Sequence, residues 1–189
     1  MKLRYRLQHY WRNPRVRWGV VVAVLAIIGG VGYQTHVAGL WSVGAIRSKL
    51  KLAQAESTLR RDPTDLTALI QAGVNSYQLR NFNEALSYYT QATDLDPSSF
   101  VAWNNLGNVR RVLLDFWGAE IAYRTAIELS PSYTPAYINL ADVYFAWPID
   151  EEGDAKRAQI VPLLQRGLDA SPESEDLKAA IHAYQVAKQ

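Results

Sequence analysis

The chain has 189 residues, 49% of them hydrophobic, no cysteine, and only His9, His36 and His182 as histidines; disulfides, thiolate catalysis and cysteine-ligated zinc are excluded, and no histidines share a spacing such as HExxH. The formal charge of +2 divides unevenly: residues 1–62 carry 11 Lys/Arg against Glu56 and Asp62, which is +9, and residues 63–189 carry 9 against 16, which is −7. The acidic part excludes nucleic acid as its ligand, because phosphate binding needs a clustered basic surface, and no catalytic residues, cofactor motif or metal set are read anywhere in the chain.

Residues 1–17 hold Lys2, Arg4, Arg6, Arg12, Arg15 and Arg17 and precede WGVVVAVLAIIGGVGYQTHVAGLW, residues 18–41, which contains no formally charged residue. Crossing the hydrocarbon takes about 20 helical residues, so residues 18–40 are expected to form one transmembrane helix, with Trp18 and Trp41 at the two interfaces. Six cations before the span, against Arg47, Lys49 and Lys51 after it, favour a cytoplasmic N-terminus with the remainder of the chain on the opposite side. The alternative is a cleaved secretory signal near Gly32 or Ala38, which would yield a soluble secreted protein, although His36 two positions before Ala38 does not fit the cleavage pattern. Gly19/Ala23 and Ala26/Gly30 are four apart, a spacing that permits self-association of the span but that an Ala/Gly-rich segment contains by chance.

Residues 41–62 follow as a linker, with Ile46, Leu50, Leu52, Ala55 and Leu59 predicting a helix over 44–61 that caps the first unit of what comes next. The rest, 63–189, is periodic. LTALIQAGVNSYQLRNFNEALSYYTQATDLDPSS (66–99) and FVAWNNLGNVRRVLLDFWGAEIAYRTAIELSPSY (100–133) align without a gap at a period of 34. Small residues recur where two helices would touch, aromatics recur beside them, and a proline closes each second helix.

Both copies resemble the tetratricopeptide repeat. The first supplies Leu69, Gly73, Ala85, Tyr89, Ala92 and Pro97 at the family's signature positions, and the second Trp103, Leu106, Gly107, Ala119, Tyr123, Ala126 and Pro131. Phe82 and Phe116 take the aromatic seventeenth position, while the eleventh departs from the pattern as Ser76 and Arg110. A third copy, 134–174, opens with Tyr137, Leu140, Ala141 and Tyr144 and closes at Pro172, 41 residues after Pro131, so seven residues are inserted near 147–154. Pro148, Gly153 and four acids read there as an acidic loop. Pro162 implies a second helix that is kinked at that point or starts near it, and 175–188 reads as a terminal capping helix. The resemblance implies an all-α, right-handed solenoid of three helix-turn-helix units with flanking helices.

It also implies a concave groove lined by the first helix of each repeat. Carried onto this chain, the groove candidates are Gln71, Tyr77, Asn104, Asn105, Asn108, Arg111, Asn139, Asp142 and Phe145. The sixth position runs Gln71, Asn105, Asn139, similar to the asparagine ladder of peptide-binding arrays, where an amide supplies both donor and acceptor to a peptide backbone. Asp142 and Arg111, the charged residues of that set, read more simply as a charge pair or a solvated face than as catalytic groups. The carboxylate clamp of chaperone-binding members is not matched, because Ile70, Val74, Pro135 and Asn139 stand where cations and asparagine are needed. Trp117 and Trp147 fit either a partner surface or packing around the insertion.

The resulting expectation is a membrane-anchored, non-enzymatic scaffold or adaptor without cofactor. It binds a protein or extended peptide, as accessory proteins that assemble membrane complexes do. A small-molecule or enzymatic use of the groove is the reading from another class.

Overall fold

A computed structural model of the chain describes residues 43–148 and 150–186. The basic segment 1–17 and the expected span 18–40 lie outside the described residues, and among the described residues no helix is long and apolar enough to cross a membrane. The chain divides into two compact units, Met1–Arg47 and Ser48–Gln189. Of the first, only 43–47 are described, as the opening of a helix.

All regular structure among the described residues is helical: α1 Val43–Leu59, α2 Leu66–Gln78, α3 Phe82–Leu95, α4 Phe100–Val112, α5 Phe116–Leu129, α6 Thr134–Ala146, α7 Glu151–Ala158, α8 Ile160–Ala170 and α9 Glu175–Val186. Helices α2 and α3 pack as one hairpin, α4 and α5 as the next; α3 packs on α4 and α5 on α6, so the hairpins stack. Five of the described N-termini are capped by a side chain, Asp65 on the Ala68 amide, Ser99 on Ala102, Asp115 on Gly118, Asp150 on Gly153 and Ser174 on Leu177.

Three devices recur at the 34-residue period. The first is a small-against-large contact inside each hairpin. A Cβ added at Gly73 would lie 2.6 Å from Cε1 of Tyr89, and one at Gly107 2.6 Å from Cε1 of Tyr123, so only glycine lets these rings lie between the helices. In the third unit the corresponding residues are Ala141 and Leu164, both fully buried, and the close approach moves to Gly167 against the Tyr137 ring. The second device joins one unit to the next: Trp103 Nε1 donates to the Pro97 carbonyl at 2.9 Å and the Tyr137 hydroxyl to the Pro131 carbonyl at 3.0 Å. The third closes the first helix of a pair. Arg80 (φ 64°) and Leu114 (φ 62°) adopt the left-handed conformation, and the amides of Asn81 and Asp115 reach back to the carbonyls of Ser76 and Arg110. This turn follows directly on the unusual eleventh-position residues, whose side chains differ but whose carbonyls do the same work.

From Ser48 onward α1 lies against the first hairpin: Ser48 Oγ donates to Gln78 Oε1 at 2.7 Å, Ala55 is buried, and Leu59 packs with Leu69 and Ala92.

The third unit corrects one sequence expectation. The acidic stretch is a helix rather than a loop: Asp150 caps it, Glu151, Glu152 and Asp154 occupy its first turn, and Lys156 and Arg157 its last. That order of charges complements the helix dipole at both ends. Gly153 is needed for a close approach, since a Cβ there would fall on the Pro148 carbonyl. Helix α6 packs on α8, its hairpin partner, and on α7, which is spliced between them. Pro162 falls in the first turn of α8, where its missing amide costs no intrahelical bond.

Candidate functional site

Helix α4 packs against α2 on one side and α6 on the other, and α6 also meets α9, so these helices form one continuous row. The groove candidates lie on it, in three different states. Asn104 is buried, and its Oδ1 accepts from Asn139 Nδ2 at 3.0 Å, a bond between adjacent repeats. Asn108 Oδ1 accepts from the Tyr123 hydroxyl at 2.8 Å, so that amide is held by the ring behind it. Gln71 is exposed and Asn105 half-buried, and neither side chain hydrogen-bonds another described residue. An amide row therefore exists, but part of its capacity is spent within the protein.

The charged candidates separate. Asp142 Oδ1 accepts from the Tyr184 hydroxyl of α9 at 2.7 Å, and no Arg111–Asp142 ion pair is present among the described residues. Burial, followed by the bond to Asp142 and its charge, pushes the Tyr184 hydroxyl pKa upward. Arg111 is half-buried with its Nε unpartnered, close enough to Tyr123 to oppose the upward shift that burial imposes on that hydroxyl. Tyr77 is half-buried edge-on to Phe82 at 5.5 Å, and Phe145 is 56% exposed with its ring 5.7 Å from Tyr184.

Beside Phe145 a cavity of about 510 Å³ opens between α6, α7, α8 and α9, lined by Phe145, Asp154, Arg157, Ala158, Ile160, Val161, Pro162 and Tyr184. Of these only Phe145 was among the sequence candidates. Asp154 comes from the insertion, Arg157 and Ala158 from the end of α7, Ile160, Val161 and Pro162 from α8, the second helix of the third unit, and Tyr184 from the terminal helix; none lies on a first helix.

On α5 a second constellation forms. Glu120 is buried and receives Lys156 Nζ at 2.5 Å, the Tyr144 hydroxyl at 2.7 Å and Arg124 Nε at 3.0 Å. The Lys156 ammonium stands 4.9 Å from the Trp117 ring centroid, 5.3 Å from Tyr144 and 4.8 Å from Trp147. A cation among three electron-rich faces is stabilised by each. Burial of Glu120 opposes its ionisation, but the bonds from Lys156 and Tyr144 and the charges of Lys156 and Arg124 outweigh it and hold the carboxyl below its ordinary value. Burial and the bond to Glu120 push the Tyr144 hydroxyl up to about 12. Trp147 is thus core, edge-on to Trp117 at 5.0 Å, while Trp117 remains 57% exposed over the pinned lysine. Nothing in the local sequence marks Lys156 as the partner of a residue 36 positions earlier.

No group of three His, Cys, Asp or Glu able to hold a metal occurs among the described residues.

The described residues build an all-α, tetratricopeptide-repeat-like solenoid with a continuous row of first helices. Residues 66–99 match the tetratricopeptide repeat family model. Solved structures with the same fold include MamA 41-end from Desulfovibrio magneticus RS-1, at 20% identity and a TM-score of 0.60, covering 75% of this chain and 76% of that one. The first tetratricopeptide domain of Spaghetti (RPAP3), bound to the HSP90 peptide SRMEEVD, is 23% identical with a TM-score of 0.55, covering 67% and 94%. The Sgt2 domain from Aspergillus fumigatus is 17% identical with a TM-score of 0.56, covering 65% and 78%.

Proposed function

We propose that the chain is a protein-interaction scaffold whose concave row binds an extended segment of a partner protein. The observation that carries this is the pair Gln71 and Asn105 on neighbouring first helices, amides with donors and acceptors unspent, beside the pre-set Asn104–Asn139 bond. Such amides can pair with a peptide backbone whatever its side chains. Spaghetti holds a peptide on the same fold, and this supports the reading without carrying over its ligand; Ile70, Pro135 and Asn139 leave this groove without the cations of a carboxylate clamp.

Residues 18–40 serve in this proposal as a single-pass anchor that keeps the scaffold at a membrane, with the N-terminus cytoplasmic and the repeats on the other side. A role in assembling or tethering membrane complexes follows from that placement.

The test is affinity capture of the full-length protein from detergent-solubilised membranes, beside Gln71→Ala/Asn105→Ala. These two positions are chosen because Asn139→Ala would also strand buried Asn104. A partner lost in the double variant, with helical circular dichroism unchanged, is the expected result; a partner fully retained removes the groove from the reading. Intact mass of the same preparation tests the anchor, since loss of about thirty N-terminal residues would establish cleavage instead.

A further inference from the structure

We propose that the cavity beside Phe145 receives one large apolar side chain, aromatic or branched, from a basic partner segment; the proposal rests on the groove reading above and specifies its ligand. Its volume of about 510 Å³ lies within the range of small-ligand pockets and leaves room for one bulky side chain with part of its flanking backbone. The walls suit an apolar occupant. Ala158, Ile160, Val161 and Pro162 provide aliphatic surface, and the Phe145 and Tyr184 rings meet at 5.7 Å at the end of the concave row. Phe145 is 56% exposed, an arrangement that a covering side chain would complete.

Charge complementarity selects what flanks that side chain. Asp154 stands on the lining with its side chain 75% exposed, and Glu151, three residues earlier, shares its face of α7. Asp142 lies one hydrogen bond behind Tyr184. The cations available nearby are already committed: Arg157 donates to Asp154 and to the Trp147 carbonyl, and Lys156 is drawn away to Glu120. Asp154 is shared with Arg157, but Glu151 has no cation partner among the described residues and residues 63–189 carry −7 overall, so the α7 side of the apolar socket favours Lys or Arg beside the anchor.

The wall itself depends on the insertion. Helix α7 has only eight residues, and the Lys156 clamp to Glu120 and Arg157 on the Trp147 carbonyl tie it to the solenoid. The insertion near 147–154 supplies Asp154 and the first half of α7, so without it the socket would lose part of this side.

The experiment uses three fluorescein-labelled peptides of one length, a basic one with a central tryptophan, a basic one with alanine there, and an acidic one with tryptophan. Binding to the full-length protein in detergent is read by anisotropy. The basic tryptophan peptide is expected to bind, with its alanine counterpart at least about tenfold weaker. Ala158→Trp, which fills the socket from an exposed position, and Phe145→Ala should each weaken it by a similar factor, and added salt should weaken it further. Equal binding of the two basic peptides, preference for the acidic one, indifference to Ala158→Trp, or no binding would each overturn the proposal. Loss in Gln71→Ala/Asn105→Ala with Ala158→Trp neutral rejects the socket and keeps the groove. The reverse pattern keeps the socket and rejects the groove.

Discussion

Replacing Lys156 with methionine tests the constellation on α5 most directly. The change keeps the stem and removes a charge that bonds Glu120 at 2.5 Å, with side chains 13% and 6% exposed. Removing one member of a buried pair typically costs about 3–5 kcal/mol, because the other charge is left without compensation. Here Glu120 keeps the Tyr144 hydroxyl and Arg124, so a loss near the lower end, about 3 kcal/mol, is expected, including the contacts to three rings. Glu120→Met combined with Lys156→Met removes both charges and should cost less than Lys156→Met alone. Urea unfolding followed by tryptophan fluorescence measures both, since Trp117 and Trp147 flank the ammonium. The pH dependence has a definite sign. The folded Glu120 carboxyl titrates below its ordinary 4.5, so the pair's stabilisation is complete above that value and is lost as pH falls through the lower folded one. Lys156→Met should diminish this acid-dependent loss. A single variant within about 0.5 kcal/mol of wild type, or a double variant whose cost equals the sum of the singles, would refute the reasoning.

Two further outcomes test the repeating devices. Gly107→Ala puts a Cβ 2.6 Å from the Tyr123 ring and should destabilise by about 1–3 kcal/mol, seen as a lower urea midpoint at unchanged slope; no loss would mean that the ring shifts freely. Leu114→Gly relieves a left-handed leucine that is 72% exposed and should raise stability by about 0.5–1 kcal/mol, read as a higher Tm, whereas a lower Tm would show that the side chain contributes packing that outweighs the strain.

Much of the solenoid was legible at the level of residue types. Gly73 with Tyr89 and Gly107 with Tyr123 recur at one period because each hairpin solves the same packing problem, and Pro97 and Pro131 return as hydrogen-bond acceptors as well as helix ends. The row of first helices was legible as a set of positions, since register along a first helix determines which residues face the neighbouring first helices. Its chemistry was not. Asn104 and Asn139 bond each other, and Asp142 bonds Tyr184 instead of Arg111, because each partner comes from a separate helix whose approach no local pattern specifies.

The insertion divides the two kinds of information most clearly. The spacing of Pro131 and Pro172 established by itself that seven residues are extra, because a period is a property of the chain alone. The acids read there as a loop form α7 instead, with Asp150 as its cap and Lys156 drawn into Glu120 and the rings of Trp117, Tyr144 and Trp147. Sequence therefore determined the stack, whose contacts repeat between near neighbours. Only the tertiary structure decided the buried ion pair and the socket beside Phe145, because both are made by helices α5 to α9 meeting across long separations in the chain.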